Sequence, residues 1–266
     1  MACKCLRYRV IFFGAPNMHE FRVRSRYLAR KAPRGRWVIA HRGASGCYPE
    51  NTISAFRAGV KAGADAIELD VHLSKDGEVV VMHDDHLGRT ASGKGKLADL
   101  TLAEIRAVDV GSWKSPEFAG KRIPTLREVF AEISLPVMVE IKPEGEQVVR
   151  RTVEAIRDMG AETRTIIASF SETNLRWASE MLPECERLAL GKPKLQCVLD
   201  LAHIAGPHFD DADGKLVNDL HRNDRALWVW TVDEPKDIER MLRLGVDGVI
   251  SNWPDRVVAA LSESTS

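Results

Sequence analysis

The reading of the fold turns on Ala66-Ile67-Glu68-Leu69-Asp70-Val71-His72-Leu73, then Ser74-Lys75-Asp76-Gly77, then Glu78-Val79-Val80-Val81-Met82-His83. The first arm places Ile67, Leu69 and Val71 on one face of a strand, so Glu68 and Asp70 share the other. Asp76-Gly77 is a turn signal. The gap between the arms is far shorter than the dozen or so residues a parallel crossover needs, so an antiparallel hairpin is expected. With Asp76 and Gly77 as the loop, His83 falls opposite Asp70. A turn placed one residue earlier sets it opposite Glu68. In either register an imidazole stands beside a pair of carboxylates.

Similar short apolar, β-branched runs recur on both sides of this hairpin. Trp37–His41 precedes it, and Pro136–Ile141, Thr165–Phe170, Arg187–Leu190, Ala226–Val232 and Gly245–Ser251 follow, with a weaker run at Ala202–His208. Helical-period stretches lie between them, at Thr52–Ala62, Leu126–Ile133, Gln147–Met159 and Pro235–Leu244. Asp233 is the expected cap of the last of these, and Gly245 its stop. Repeated strand–helix units imply a mostly parallel sheet with both faces covered. About eight such units in this length fit an α/β (β/α)8 TIM barrel, with a doubly wound open sheet as the alternative. Nine candidate strands for eight staves leave one as a hairpin arm or a false strand.

Polar residues collect where these strands end: His41-Arg42-Gly43, Glu68 with Asp70, His83-Asp84, Glu140 with Lys142, Ser169, and Trp228 with Trp230. In a parallel barrel the carboxyl ends of the strands carry the active site. Two acids inside an apolar strand are costly unless compensated, and a hard divalent cation is the natural compensation. The bland alternative is a pair of acids facing solvent or Arg. Alternation aims Glu140 and Lys142 the same way, so Glu140 can supply a third oxygen and Lys142 a charge for an anionic substrate. Arg42 suits bidentate phosphate contacts. For His83 the alternative is a purely structural hydrogen bond to Asp84. Taken together, two His, one Arg, one Lys and three carboxylates fit metal-assisted phosphoester hydrolysis with the histidines as acid and base.

The chain has 266 residues, with 38 Lys or Arg against 38 Asp or Glu. The balanced charge argues against a globally basic nucleic-acid binder. The charge is uneven, however. Residues 1–36 carry ten basic residues and one acid, Glu20. They read as a basic N-terminal extension, a poorly ordered solvated tail or a start placed before Met18. A membrane-surface or nucleic-acid role for it is the alternative. The domain is expected over 37–266. No stretch is long and apolar enough to span a membrane. Five cysteines without metal-site spacing read as free thiols in a cytoplasm.

His41-Arg42-Gly43, Pro49-Glu50-Asn51-Thr52, Gly63-Ala64-Asp65, Glu68-Leu69-Asp70-Val71, Lys75-Asp76-Gly77, His83-Asp84, Glu140-Ile141-Lys142, Ser169-Phe170, Trp230-Thr231-Val232 and Gly245-Val246-Asp247-Gly248 occur in this order. Together they resemble the glycerophosphodiester phosphodiesterases, over about residues 37–255. The resemblance implies a (β/α)8 barrel that hydrolyses glycerophosphodiesters to glycerol 3-phosphate and an alcohol. It implies Glu68, Asp70 and Glu140 as ligands of one divalent cation, Mg²⁺ or Ca²⁺. It implies His41 and His83 as the acid–base pair and Arg42 and Lys142 at the phosphate. Glu50 corresponds to a supporting acid, and Trp230 to an aromatic lining the alcohol pocket. Two departures stand out: Asp233 where the family often has Asn, and Ser251-Asn252-Trp253 where it often has Thr-Asp. Both are expected to affect the rim rather than the metal or histidine set. The short segment from His83 to Pro136 implies an open pocket and broad head-group tolerance. Lysophospholipase D or phosphatidyl-transfer activity on the same barrel, and a non-catalytic binding protein, are the competing readings.

Overall fold

A computed structural model of the chain describes residues 32–263. The strands are β1 (Trp37–Ala40), β2 (Ala66–Leu73), β3 (Val79–Val81), β4 (Val137–Ile141), β5 (Thr165–Ser169), β6 (Glu186–Leu190), β7 (Ile204–Gly206), β8 (Ala226–Val229) and β9 (Gly248–Ser251). Eight of them run parallel in the order β1-β2-β4-β5-β6-β7-β8-β9, and β9 pairs back onto β1 to close a (β/α)8 barrel. The ninth, β3, is antiparallel to β2 alone, which identifies it as the hairpin arm. The weak run near residue 204 is a true stave. Helix α1 (Ile53–Lys61) follows β1, α2 (Leu102–Ala107) and α3 (Leu126–Glu132) follow the hairpin, and α4 (Glu146–Asp158) follows β4. Then α5 (Glu172–Met181), α6 (Leu195–Leu201), α7 (Gly214–Arg222), α8 (Pro235–Leu244) and α9 (Pro254–Glu263) follow β5 to β9 in turn.

Alternation along each stave divides the core in two. Ile67, Leu69, Val71, Val137, Val139 and Ile141 face outward onto α1, α3 and α4. Trp37, Ile39, Met138, Ile166, Leu188, Trp228 and Ile250 fill the barrel interior. Trp37 and Trp228 lie with ring centroids 5.7 Å apart and plug it. Gly248 is required there, because a Cβ would stand 2.7 Å from the Trp228 ring. Trp228 is therefore a core residue, not one of the polar set at the strand ends. A separate small core of Val80, Met82, Leu87, Ala91, Leu97, Ile105, Val110 and Ile123 lies beneath the segment between β3 and α3.

Three expectations need correction. The hairpin register pairs Val71 with Val81 and Leu73 with Val79, so Met82, not His83, lies opposite Asp70. The loop has three residues, Lys75, Asp76 and Gly77, with Ser74 N bonded to Glu78 O and Gly77 left-handed at φ 82°. A tight turn ending in a left-handed Gly favours this loop over the two-residue form. His83 reaches the site because the chain leaves the ladder after Val81. Second, Asp233 does not cap α8; Glu234 holds that position without a side-chain bond. The Asp233 carboxylate is drawn instead to the end of β9. Third, the last strand starts at Gly248 rather than Gly245, which at φ 90° is the expected stop of α8.

Of the expected basic extension, residues 1–31 lie outside the described part. Within it, Arg34 donates to Asp65 Oδ1 at 2.6 Å, while Asp65 Oδ2 accepts from Val38 N at 3.0 Å. That ties the approach to β1 onto the start of β2.

Candidate active site

The register of β2 against β4 sets Glu68 beside Met138 and Asp70 beside Glu140. All three acids point into the barrel mouth, and ligand oxygens of Glu68, Asp70 and Glu140 lie within 4.8 Å of one another. All three are buried. Burial first, then repulsion from Asp70 and Glu140, pushes the Glu68 carboxyl well above the usual range. Burial and the Asp70 charge push Glu140 up to about 7. Asp70 goes the other way: burial opposes its charge, but Arg42 and Lys142 outweigh burial and hold it low.

The cations are placed by neighbouring strand ends. Lys142 Nζ lies 2.9 Å from Glu140 Oε1 and 3.6 Å from Asp70 Oδ1. Arg42 follows β1 in a left-handed conformation at φ 55°. Its backbone N donates to Glu68 Oε2 at 2.8 Å, and its guanidinium reaches Glu50 Oε1 at 3.0 Å and Asp70 Oδ2 at 3.2 Å. Three clustered carboxylates face two cations, one of them shared with Glu50, so the cage keeps a negative excess. Asp70 Oδ1 is buried and accepts no hydrogen bond. An all-oxygen donor set with a vacant acceptor of this kind fits a hard divalent cation.

His41 Nδ1 donates to Asn252 Oδ1 at 2.7 Å, and its Nε2 lies 4.0 Å from Glu68 Oε2. Burial, then the Arg42 charge, lowers its pKa to about 4, so the ring is neutral near pH 7. Asn252 cannot present its amide nitrogen to His41, because Nδ2 donates to Asp233 Oδ2 at 2.6 Å. Its Oδ1 also accepts from Ser45 Oγ at 2.6 Å. The tautomer follows: the His41 proton sits on Nδ1, and Nε2 carries the free lone pair. His83 Nδ1 donates to Asp84 Oδ1 at 2.7 Å. The structural bond to Asp84 is thus present, and it leaves Nε2 for the cavity the ring lines.

That cavity, about 140 Å³, is lined by His41, Arg42, Glu68, His83, Glu140 and Lys142 on one side and by Met138, Phe170, Leu190, Trp230 and Ile250 on the other. Trp230 donates Nε1–H to Gly206 O at 2.7 Å and meets Phe170 edge-on at 5.7 Å. Glu50 lines an adjoining cleft and touches the site through Arg42. All nine residues singled out from the sequence therefore lie at one end of the barrel.

Several partners were not foreseen. Asn51, left-handed at φ 57°, donates Nδ2–H to Asp70 Oδ2 at 2.8 Å. Its place between Glu50 and the Thr52 helix cap was the available signal, since Asn tolerates that conformation. Asn252 and Asp233 were placed at the rim, and the structure corrects this. Ala40 pairs with Ser251 in the closing β1–β9 ladder, so residues 41 and 252 emerge side by side. Arg89, which bridges Glu50 and Asp84, had no signal in the sequence.

A sequence model of the Glycerophosphoryl diester phosphodiesterase family matches residues 41–256. A glycerophosphodiester phosphodiesterase of Caldanaerobacter subterraneus is 40% identical over 235 residues, covering 83% of this chain and 96% of that one. The solved structure of an Oleispira antarctica phosphodiesterase, in complex with its product sn-glycerol-3-phosphate, matches with a TM-score of 0.81 and 30% identity, over 85% of this chain and 96% of that one. A putative glycerophosphoryl diester phosphodiesterase from Silicibacter pomeroyi matches with a TM-score of 0.80 and 28% identity, over 86% and 94%. With fold and sequence in agreement, the chain belongs to the glycerophosphoryl diester phosphodiesterase family of phosphoric diester hydrolases.

Proposed function

We propose that the chain hydrolyses glycerophosphodiesters to glycerol 3-phosphate and an alcohol, using one divalent cation and two histidines. The observation that carries this is the convergence of Glu68, Asp70 and Glu140 between two cations and two imidazoles at the barrel mouth. These three carboxylates would hold Mg²⁺ or Ca²⁺. Held there, such a cation would supply positive charge against the negative charge that develops on the phosphate.

Arg42 and Lys142 share that phosphate charge and fix its orientation. Neutral His41, with Nε2 free, is the proton acceptor for the attacking hydroxyl. His83, whose Nδ1 is held by Asp84 so that Nε2 faces the cavity, is the donor to the leaving alcohol. Trp230 and the apolar wall shield the reacting centre from water on the other side. Trapping a cyclic glycerol phosphate distinguishes attack by the neighbouring glycerol hydroxyl from attack by water. The product complex of the Oleispira antarctica relative supports a small-molecule substrate. Cys47, Cys185 and Cys197 are unbridged, which suits a reducing cytoplasm.

The test is turnover of a panel of glycerophosphodiesters, alongside lysophosphatidylcholine, with and without Mg²⁺ or Ca²⁺. Release of glycerol 3-phosphate that chelator abolishes supports the reading. His41→Ala and His83→Ala should each lose roughly 10²–10⁴-fold in turnover. Near-wild-type rates in both variants remove the acid–base assignment, and full activity in chelator removes the metal. Among the described residues no helix is long and apolar enough to cross a membrane.

A further inference from the structure

One guanidinium outside the metal and histidine set reaches both halves of the site. Arg89 sits on the segment between β3 and α2. Gly88 N donates to Ala91 O at 3.1 Å and Leu87 N to Gly95 O at 2.9 Å, closing a compact turn around it. Leu87 and Ala91 are buried in the small core beneath, so the backbone on both sides of Arg89 is pinned. Its side chain projects back toward the barrel mouth. Nε and Nη2 donate to Asp84 Oδ2 and Oδ1 at 2.7 and 2.9 Å. Nη2 and Nη1 donate to Glu50 Oε1 and Oε2 at 2.8 and 3.2 Å. Two bidentate contacts on two edges of one planar group define the plane of each carboxylate.

Each of those carboxylates then holds one residue of the site. Asp84 Oδ1 accepts from His83 Nδ1, and Glu50 Oε1 accepts from Arg42 Nη1. An unbroken row of charge-assisted contacts therefore runs His83–Asp84–Arg89–Glu50–Arg42, from the end of β3 to the end of β1. We propose that Arg89 is a positioning residue that aims the His83 ring and the Arg42 guanidinium at one phosphate, acting through Asp84 and Glu50. This rests on the reading of His83 and Arg42 given above. Without Arg89 each carboxylate regains rotation about its side-chain bonds, and the nitrogen it holds loses a fixed direction. The role is one of geometry rather than stability, because Arg89 is 47% exposed and solvent screens such pairs. A Lys ammonium cannot replace it, since a point charge cannot define two carboxylate planes.

The test compares wild type with Arg89→Ala, Arg89→Lys, Asp84→Asn and the double variant R89A/D84N. Steady-state kinetics on glycerophosphocholine are paired with ¹⁵N-histidine NMR of the His83 Nδ1–H. Arg89→Ala should keep its melting temperature and lose about 10–100-fold in kcat, the range seen when a supporting partner is removed. KM should change by less than about threefold. The double variant should lose no more than Arg89→Ala alone, because Asp84 acts on His83 along a line that Arg89 already holds. Added guanidinium should restore part of the Arg89→Ala rate, since the site is open to solvent, while methylammonium should not. The His83 Nδ1–H signal should broaden or vanish in Arg89→Ala. If Arg89→Ala fails to fold, Arg89→Lys, which keeps the charge, carries the comparison. A fully active Arg89→Ala or Arg89→Lys, or an unchanged His83 signal, overturns the proposal. Wild type inert on every diester would instead defeat the functional reading, and the NMR comparison would still decide the role of Arg89.

Discussion

His41 illustrates how one residue's surroundings choose its chemistry. Burial and the neighbouring Arg42 strip its proton at neutral pH, and the Asn252 amide decides which nitrogen stays bare. This has a measurable consequence for stability. Well above pH 6.5 the ring is neutral in both folded and unfolded chains and contributes nothing. As pH falls from about 6.5 toward about 4, the unfolded chain gains a proton that the folded one refuses, so stability drops. Between pH 7 and 5 the wild type should lose roughly 2 kcal/mol more than His41→Asn, a difference read by urea denaturation at each pH. Equal losses in both would show that the ring titrates normally. Asn252 makes a separate case. Asn252→Leu removes the acceptor that fixes the tautomer, and turnover should fall by about 10–100-fold with little change in KM. Steady-state rates on a single diester check it.

The elements carry the site by their ends. Helix α1 starts immediately after Glu50 and Asn51, and its cap is Thr52, whose Oγ1 accepts from Ala55 N at 3.2 Å and donates to Pro49 O at 2.7 Å. The same hydroxyl therefore starts the helix and fastens the loop that supports Arg42 and Asp70. Thr52→Ala should cost about 1 kcal/mol of stability. It should also lower activity, because Glu50 and Asn51 lose their anchor. Thermal unfolding and kinetics on the same preparation test both parts; a stability loss with full activity would leave the loop self-supporting. The β2–β3 hairpin shows the limit of local reading. Its existence follows from Asp76-Gly77 and the short gap, but its register does not, because two- and three-residue loops use the same residues and differ only in how the strands finally pack.

For the whole molecule, closure of the barrel is what assembles the proposed cation site. The three carboxylates repel one another in a buried place, and a bound dication relieves that repulsion only in the folded state. Mg²⁺ or Ca²⁺ at about 100 times its Kd should therefore stabilise the fold by about 2.7 kcal/mol through mass action. Glu140→Gln should abolish that gain and be more stable than wild type in chelator. Melting curves in metal and in chelator measure both, and a wild type indifferent to either cation would show that the cage does not bind it.

Strand period and turn residues alone specify the staves, the paired carboxylates on one face of β2 and the Glu140–Lys142 pair on β4, because those depend on contacts close in the chain. Eight of the nine candidate site residues are legible for the same reason, each at a strand end; Glu50 is singled out only through the family resemblance. The contacts between Asn252 and His41, between Arg89 and two acids, and the true partner of Asp233 arise only when β9 meets β1 and the β3–α2 segment folds back. Those pairs are separated by 211, 39 and 5, and 19 residues. No local periodicity encodes the long separations among them, and the short Asp84–Arg89 one depends on an irregular loop with no period; the closed barrel, with its burial and charge balance, brings the distant groups together and sets the protonation of His41.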